Sequence, residues 1–393
     1  IVVQIGNKAN IMIYDTLIIG GGLVGAAMAV ALKQQQRRVA LLEIRPPATD
    51  AERLEKGWDA RIYAISPANR QFLQSLHAWP SESRIQPVAR MDVRGDGGGR
   101  IEFAAADIQA DRLTSIAENR WLLAALWRQI EALEIPVFTE AAAAIHTDIE
   151  AATLTLANGE TLKTRLIIGA DGANSWVRAQ AGIAVQENAY GHHGVVANFH
   201  TEKNHHGTAY QWFKHGEVLA YLPLPDHKIS IVWSTAAPEK LTALAPDDLA
   251  AAVTAQGEGM LGRLSPLSPA FAFELILRRP ATTVAQRIML IGDAAHTIHP
   301  LAGQGVNLGF GDAIEFARLS QNAADLGAHQ LLKRYAQNRL EPVRTMQLSC
   351  DGLFHLFGEN HLPALPWLRN NGLNWVNAAA PLKQRLIKHA MGL

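Results

Sequence analysis

Three glycines, Gly20, Gly22 and Gly25, have the spacing GxGxxG and stand between an apolar run and a segment rich in Ala, Val and Leu. The first glycine of this pattern permits a tight turn, the second lets a pyrophosphate approach the backbone, and the third lets the helix pack closely. Glu43 follows after about 20 residues, where a carboxylate accepts hydrogen bonds from ribose hydroxyls. The pattern predicts a dinucleotide site, against the alternative of an ordinary glycine-rich turn, and it does not separate FAD from NAD.

Two further motifs combine an acid with glycine at the end of an apolar run. Asp171 and Gly172 follow residues 166–169, and Asp293 follows residues 287–292. A loop rich in Pro and Gly comes next and leads into a helix, and its residues of interest are Pro300, Gly303, Gln304, Gly305 and Asn307. Taken singly, these features are also explained by a β-turn, a helix N-cap and a flexible connector.

The elements that must position these motifs follow from the apolar pattern. Residues 13–19 and 39–42 are typical of strands and residues 26–33 of a buried helix, which together predict a βαβ unit with parallel strands. Residues 118–130 predict a further helix, and the chain is helical from Ala313 onward. The region after Cys350 holds Pro363, Pro366 and Pro381, so its helices are expected to be short.

A second domain is indicated where the pattern changes to alternation. Residues 195–199, 209–213 and 229–233 alternate between apolar and polar types, which predicts antiparallel strands. Earlier in the chain, residues 151–162 alternate around Asn158-Gly159, a strong signal for a β-hairpin.

Bulk properties bound the function. The chain has 393 residues and zero formal net charge, which predicts two domains and a tail and gives no electrostatic reason to expect a nucleic-acid partner. Cys350 is the only cysteine, so an intrachain disulfide, a CxxC centre and a cysteine-ligated metal are excluded, and the usage fits a reducing cytosol. The histidine pairs at 192–193 and 205–206 lack nearby acids at metal spacing, so no metal is predicted.

Residues 1–11 lack the basic leader and apolar core of a signal peptide and are expected to be an extension before a start at Met12. No apolar run approaches the ~20 residues that span a bilayer.

The three motifs in this order resemble the class A FAD-dependent monooxygenases, the group that contains 4-hydroxybenzoate hydroxylase. The resemblance implies an α/β fold: a Rossmann-type FAD-binding domain, an inserted antiparallel-sheet substrate domain and a C-terminal helical tail. Asp293 would bind a ribityl hydroxyl of FAD, and backbone N–H groups of Gly303, Gln304 and Gly305 would face the flavin ring. Asp171 and Gly172 would lie near both FAD and the nicotinamide donor.

Two other stretches resemble FAD-contacting segments of the same family. Arg61, in Asp59-Ala60-Arg61, would lie near the phosphates and Arg120 near the ribityl chain. The alternative for both arginines is a surface ion pair.

Within this family the chain resembles the hydroxylases of ubiquinone biosynthesis nearly end to end. The segments that carry this resemblance are residues 59–66, 209–213, 222–225, 232–234, 292–312, 352–358 and 372–376, of which 292–312 is the most specific. The implied organisation is a discontinuous FAD-binding domain (12–80, 105–185 and 275–350), a substrate domain (81–104 and 186–274), a tail (351–393) and the extension (1–11).

The function implied by this resemblance is hydroxylation of a polyprenylated phenol or quinol with NAD(P)H and O2. NAD(P)H would reduce FAD, O2 would add at flavin C4a, and the distal oxygen of the hydroperoxide would attack the ring. His296 and His299 are candidates for a base, with anchoring of the loop as the alternative for His296. NADH, NADPH and a partner reductase all stay open as the source of electrons.

Three alternatives to this function share the fold: a hydroxylase of small soluble phenols, a reductase of prenyl chains and a non-catalytic FAD-binding subunit of a biosynthetic complex.

The C-terminal segment has the pattern of a short basic amphipathic helix. Leu382, Leu386, Ile387 and Ala390 share one face, and the flanking cations are Lys383, Arg385 and Lys388. Such a helix either packs on the protein body, which we favour, or lies on an anionic membrane. Because a polyprenylated substrate resides in a membrane, a cytoplasmic protein with peripheral contact to the inner membrane face, or with a ubiquinone-biosynthesis complex, is a further hypothesis.

Overall fold

The computed structural model describes residues 13–298, 305–357 and 365–391. The extension, residues 1–11, and the loop residues His299, Pro300, Gly303 and Gln304 lie outside these ranges, as do the side chains of Leu382 and Ala390.

The described strands, in chain order, are β1 (Ile13–Tyr14), β2 (Thr16–Ile19), β3 (Val39–Leu42), β4 (Ile62–Ile65), β5 (Gln86–Val88), β6 (Arg90–Arg94), β7 (Arg100–Ala104), β8 (Thr114–Glu118), β9 (Val137–Phe138), β10 (Ala142–Thr147), β11 (Ala152–Leu156), β12 (Thr161–Thr164), β13 (Ile167–Gly169), β14 (Val185–Thr201), β15 (Thr208–Lys214), β16 (Glu217–Leu224), β17 (Lys228–Thr235), β18 (Leu264–Pro266), β19 (Phe271–Pro280), β20 (Val284–Ala285) and β21 (Ile288–Leu290). The described α-helices are α1 (Leu23–Gln34), α2 (Ala51–Glu55), α3 (Pro67–Ser75), α4 (Asn119–Ala132), α5 (Trp176–Gln180), α6 (Glu239–Thr242), α7 (Pro246–Gln256), α8 (Gly305–Ser320), α9 (His329–Phe357), α10 (Leu365–Ala378) and α11 (Ala380–Met391).

A six-stranded sheet forms the centre of the first layer, in the order β20-β21-β13-β2-β3-β9. Its strands run parallel except for β20, which pairs antiparallel with β21. Strands β2 and β3 are buried along their whole length, as strands covered on both faces must be, and α1 between them is rich in buried Ala, Val and Leu. The predicted βαβ unit is therefore confirmed.

The predicted first strand differs in one respect, because residues 13–19 divide at Asp15. Strand β1 pairs with β12 in a separate four-stranded sheet, whereas β2 enters the six-stranded sheet. The Asp15 carboxylate accepts a hydrogen bond from the Arg38 N–H at 2.9 Å, which satisfies the backbone where the chain changes sheets. The hairpin predicted around Asn158-Gly159 joins β11 and β12, with Gly159 at φ +87°.

An eight-stranded sheet forms the second layer, in the order β18-β14-β17-β16-β15-β6-β7, with β19 also paired to β14. The alternating segments predicted as strands lie within β14, β15 and β17, and all pairs are antiparallel except β15 with β6. One face of the sheet packs its apolar side chains against α7 in a single core. The opposite face carries Val196, Asn198 and Ser230 and is called the cleft face below.

The elements do not stop at every predicted domain boundary. Strand β5 pairs with β8 in a three-stranded sheet with β4, so only β6 and β7 of the segment 81–104 join the eight-stranded sheet. Helix α9 continues unbroken from His329 to Phe357 and strand β19 from Phe271 to Pro280, across the predicted boundaries at 350 and 274.

The C-terminal helices pack on the second layer. The amide oxygen of Asn370 accepts hydrogen bonds from the N–H groups of Gly97 and Gly99, both at 3.0 Å, and Arg369 pairs with Asp96. On α11, Ile387 is buried and the Lys383 ammonium lies 2.9 Å from the Asp107 carboxylate. The described part of the tail therefore follows the interpretation of a helix packed on the body. Among the described helices, none combines the length and the apolarity that a bilayer crossing requires.

Candidate functional site

The three sequence motifs meet at one edge of the six-stranded sheet. Adjacent parallel strands β3, β2, β13 and β21 end at Leu42, Ile19, Gly169 and Leu290, and each is followed by a motif. The motif residues that follow these four strands are Glu43, Gly20, Asp171 and Asp293. Open α/β sheets bind ligands outside the carboxyl ends of their strands, so this edge is the candidate site.

Gly20, Gly22 and Gly25 form a glycine cradle, and at two of these three glycines other backbone segments lie too close to allow a side chain. A Cβ on Gly20 would lie 2.4 Å from the Ala170 carbonyl oxygen, and a Cβ on Gly25 would lie 2.0 Å from the Gly20 carbonyl oxygen. Gly22, in contrast, has nothing within 4 Å of its Cβ position and is exposed. Gly22 also precedes α1 without a side-chain cap, so the helix N–H groups face open space, as a phosphate site requires.

Glu43 is oriented by backbone donors at the end of β3. Its carboxylate accepts hydrogen bonds from the Gly21 N–H at 2.8 Å and from the Arg45 N–H at 3.0 Å. The Trp127 indole donates to the Gly21 carbonyl oxygen at 2.8 Å from the other side. The carboxylate is thereby held beside the cradle, where it retains acceptor capacity for a ribose.

Asp171 follows β13, and the two oxygens of its carboxylate differ in their hydrogen bonding. Oδ2 accepts a hydrogen bond from the Val177 N–H at 3.0 Å, while Oδ1 is buried without a hydrogen-bond partner in the described residues. Next to it, Gly172 adopts φ +82° with nothing within 4 Å of its Cβ position. A buried acceptor without a partner is rare in proteins, so Oδ1 is suited to a ligand's donor.

Arg178 joins the second motif to the third, a contact that the sequence did not indicate. Its buried guanidinium donates to the Ala294 carbonyl oxygen at 3.0 Å and to the Ala173 carbonyl oxygen at 2.8 Å. These carbonyls lie directly beyond Asp293 and Gly172, so one cation sets the spacing between the two strand ends.

Asp293 lies in a concave setting at the end of β21. Its side chain reaches solvent, but it is surrounded by protein atoms on most sides. The resulting desolvation raises the pKa of the carboxyl, although the charges of His296 and Arg61 act to lower it. No hydrogen bond from the described residues reaches this carboxylate. Burial likewise raises the pKa of the neighbouring Tyr63 to about 12. A carboxylate that is surrounded and unbonded is suited to a ligand hydroxyl.

A buried ionic cluster lies beneath the same turn and was also missed by the sequence reasoning. Asp312 is completely buried and accepts hydrogen bonds from the Gly292 N–H (2.9 Å), His296 Nε2 (2.8 Å) and Arg339 Nε (2.7 Å). Burial alone would raise the Asp312 pKa, but the charges of His296 and Arg339 outweigh it and hold the pKa below its usual range. His296, our candidate base, is itself buried within this cluster.

Asn307 ties the start of α8 to β4 and α3. Its amide nitrogen donates to the Ala64 carbonyl oxygen at 2.7 Å, and its amide oxygen accepts from the Ser66 N–H at 3.0 Å and from Asn69 Nδ2 at 2.8 Å. Gly305 is the first residue of α8. The Asn307 side chain therefore aims the helix N-terminus, while the loop before it lies outside the described residues.

Arg61 lies in the loop before β4 and Arg120 in the first turn of α4, and their side chains differ in what they contact. Arg120 donates to the Glu118 carboxylate and to the carbonyl oxygens of Lys56 and Gly57. The Arg61 side chain is exposed and influences Asp293 only through its charge. Buried Glu118 also accepts from the Asp59 N–H at 2.8 Å and thus organises this loop.

The cleft face of the eight-stranded sheet adjoins the same loop. Asn198 donates to the Asp59 carbonyl oxygen at 3.0 Å, and Ala209 and Leu222 pack with Ile62 and Ala64. Farther along this face, half-buried Ala220 and Val232 are neighbours in register. The cleft face therefore lies beside β4 and the start of α8, with small apolar residues toward its middle.

A family model described as FAD binding domain matches residues 120–347, more than half of the chain. Many solved structures share the fold, including the following two. The p-nitrophenol 4-monooxygenase PnpA from Pseudomonas putida DLL-E4 is 16% identical with a TM-score of 0.76, covering 96% of this chain and 98% of its own. Klebsiella pneumoniae HpxO, complexed with FAD and uric acid, is 18% identical with a TM-score of 0.74, covering 95% and 97%. The family model, the fold and the strand-end site define an FAD-binding flavoprotein.

Relatives with named activities place the chain in a narrower family of flavoproteins. The 3-demethoxyubiquinol 3-hydroxylase of Escherichia coli (strain K12) is 35% identical over 392 residues, covering 96% of this chain and 98% of the relative. The ubiquinone hydroxylase UbiL of Rhodospirillum rubrum is 32% identical over 390 residues (96% and 89%), and human ubiquinone biosynthesis monooxygenase COQ6, mitochondrial, is 32% identical over 435 residues (96% and 92%). The chain belongs to the FAD-dependent ubiquinone-biosynthesis hydroxylase family.

The strand-end site fits FAD on its own geometry. A Cβ at Gly22 would occupy the open space before α1, the buried Asp171 Oδ1 has no partner in the described residues, and Asp293 is unbonded. An open helix N-terminus of this kind can accept a pyrophosphate, and the two carboxylates can accept hydrogen bonds from a long dinucleotide that crosses several strand ends.

Proposed function

We propose that this protein hydroxylates a ring carbon of a polyprenylated phenol or quinol in ubiquinone biosynthesis, with NAD(P)H as electron donor and O2 as oxygen source. The observation that carries the proposal is the position of the cleft face beside the third motif. Asn307 bonds the start of α8 to Ala64, and Ala64 packs with cleft-face residues. An aromatic ring held on that face lies next to the FAD site, and the named activities of the relatives supply the substrate class.

The residues have separate tasks in this reaction. FAD, when bound, supplies electron transfer from NAD(P)H and the activation of O2. The Gly20, Gly22 and Gly25 cradle would hold its pyrophosphate, Glu43 its ribose, and Asp293 its ribityl chain. The N-terminus of α8 would place its partial positive charge near the ring of the flavin, which is negative when reduced. The apolar middle of the cleft face would exclude water from the ring being hydroxylated.

His296 serves this reaction best as a positioning residue. Its Nε2 bonds to the buried Asp312, and its backbone N–H donates to the Gly292 carbonyl oxygen at 2.9 Å. Both contacts hold the turn that carries Asp293. We therefore assign His296 the task of fixing that turn, and the ring needs no base if it enters as an electron-rich phenol.

The test is turnover by the purified holoprotein. We expect a prenylated phenol to accelerate NAD(P)H oxidation and to acquire one oxygen atom from isotopically heavy O2. A prenyl-chain reductase would consume NAD(P)H without incorporating oxygen, and a hydroxylase of soluble phenols would show no preference for the prenylated ring. FAD binding without NAD(P)H or O2 consumption would indicate a non-catalytic subunit.

The ring position is tested by complementation. Strains that each lack one ring hydroxylation, including Escherichia coli without its 3-demethoxyubiquinol 3-hydroxylase, would receive this chain. Restoration of ubiquinone in one strain identifies the position, and restoration in several strains indicates hydroxylation at more than one carbon. Restoration in none contradicts the proposed substrate.

We further propose that the protein works in the cytoplasm at the inner membrane face, alone or in a complex of biosynthetic enzymes. Support comes from the proposed substrate, which partitions into lipid, and from exposed Trp375 and Leu386 on the tail helices. Flotation with anionic liposomes tests this proposal. Co-flotation that weakens when Leu386 is replaced by Ser supports it, and protein that stays at the bottom contradicts it.

A further inference from the structure

Strand β19 carries an apolar row that runs from the surface to the candidate site. Alternate residues of a strand lie on one side, so Phe271, Phe273, Leu275 and Leu277 form a single row. Their exposed fractions fall along the strand from 53% and 45% at the two phenylalanines to 3% and 2% at the two leucines. The row therefore begins in solvent and ends in the interior.

The buried end of this row adjoins the third motif. Thr297 Oγ1 donates to the Ile276 carbonyl oxygen at 2.7 Å, and the Arg278 N–H donates to Thr297 Oγ1 at 2.8 Å. Thr297 directly follows His296 of the Asp312 cluster. The leucine end of the row therefore lies at the turn that leads into the FAD site.

The exposed end of the row lies on the cleft face. Phe271 is opposite Val196 and Phe273 is opposite Gly194 in the β14–β19 register, and Val196 shares its face with Asn198. A Cβ on Gly194 would lie 2.7 Å from the Phe273 ring, so this glycine leaves room for the ring to lie across the strand. The other side of β19 carries exposed Ala272 and Glu274 and half-buried Ile276, so the two large exposed apolar side chains of this strand, Phe271 and Phe273, both lie on the cleft side.

We infer that Phe271 and Phe273 bind the isoprenoid chain of the substrate, and that Leu275 and Leu277 line its path toward the ring. This inference rests on the proposed function, because the ring must occupy the cleft face for its chain to follow β19. An apolar row along one edge strand, exposed at one end and buried at the other, matches a linear apolar chain better than it matches the broad contact of a folded protein.

A thiol-protection experiment tests the contact directly. Phe273→Cys and Phe271→Cys each introduce one exposed thiol, since the only natural cysteine, Cys350, is buried and burial raises its pKa to about 11. The holoprotein is treated with a maleimide in the presence of farnesylphenol or of phenol, and labelling is followed by mass. Ile149→Cys, at a position 84% exposed and remote in the fold, is the matched control.

We expect farnesylphenol to slow labelling at positions 271 and 273, phenol to leave it unchanged, and position 149 to react equally in all cases. Equal labelling with and without farnesylphenol, in a holoprotein that hydroxylates it, overturns the inference and leaves the proposed function intact. Protection without any turnover supports the chain site and contradicts the proposed function. Protection by empty liposomes alone assigns the row to a membrane and overturns the inference.

Kinetics give a second readout. Replacing both phenylalanines with Ser removes apolar contact with the chain, so kcat/KM for farnesylphenol is expected to fall by about tenfold or more. The value for phenol should not change, and Ile149→Ser should behave as the wild type with both substrates. An equal loss for phenol and farnesylphenol overturns the inference, because it would show an effect on the ring or on FAD.

Discussion

Two neighbouring carboxylates, Asp312 in α8 and Asp293 in the turn after β21, have opposite surroundings. Asp312 is wholly buried, accepts three hydrogen bonds and has a lowered pKa, with His296 and Arg339 as its charged neighbours. Asp293 lies in an open concavity, receives no hydrogen bond from the described residues and has a raised pKa. Asp312 is bonded within the fold, whereas Asp293 keeps its acceptor oxygens available for the FAD that we propose it binds.

The contrast between Asp312 and Asp293 indicates how the turn that carries Asp293 is held in place. Backbone segments 292–296 would be loose as a bare turn, but Asp312 anchors both the Gly292 N–H and the His296 ring from below. Because the anchor is fully bonded, the chain tolerates an unbonded carboxylate directly above it. A site that is already in place before the ligand arrives loses less entropy on binding.

The largest effect is expected from Asp312→Ala. This change leaves the Arg339 guanidinium and His296 buried without their acceptor, so it should reduce the free energy of unfolding by about 3–5 kcal/mol. Urea unfolding of the apoprotein measures the loss. Asp312→Asn, which keeps the volume and one acceptor oxygen, is the milder control, and a loss below about 1 kcal/mol for the Ala variant would show that the cluster does not hold the fold.

Gly25 and Gly22 of the first motif differ in a similar way, because one is enclosed and the other is open. The methyl group of Gly25→Ala would meet the Gly20 carbonyl oxygen at 2.0 Å, so this variant should lose about 1–3 kcal/mol of stability and its FAD binding. Gly22→Ala has open space, so stability should change by at most about 1 kcal/mol, the cost at a helix N-cap. Its affinity for FAD should still fall, as fluorescence titration would show. Equal stability losses would contradict the distinction.

Asp293→Asn is expected to separate binding from stability. Losing a charged acceptor should weaken FAD binding by about tenfold or more. The apoprotein should become more stable at neutral pH, because a desolvated and unbonded charge is removed. Isothermal titration with FAD and urea unfolding of the apoprotein give the two values, and a destabilised apoprotein would show that Asp293 has a structural partner.

The pH dependence should have opposite signs at the two carboxylates. Asp312 has a lowered pKa, so its stabilisation is complete above the ordinary carboxyl pKa of about 3.9 and is lost as pH falls through the lower folded value. Asp293 has a raised pKa, so its cost is present above that raised value and disappears as pH falls toward about 3.9. Unfolding of both Asn variants at pH values from about 7 to about 4 should therefore show a deficit for Asp312→Asn that persists and an advantage for Asp293→Asn that shrinks.

Much of the fold could be predicted because it depends on local pattern. The apolar runs of β2 and β3, the alternation of β14, β15 and β17, and the Asn158-Gly159 turn each specify their own element. The division of the first strand at Asp15 could not be predicted, because it depends on Arg38 and on pairing with β12, far along the chain.

The candidate site likewise combines features that local sequence specifies with features that depend on tertiary contacts. The sequence by itself determined the glycine cradle and the acid at each strand end, since a glycine's missing side chain and a strand's polarity are properties of short segments. Only the tertiary structure decided which acid is free, because Asp312 finds Arg339 on another helix and Asp293 finds no donor in the described chain. It also joined Phe271 to the cleft face through β14. Burial and hydrogen-bond partners come from residues distant in sequence, so no local pattern can specify them.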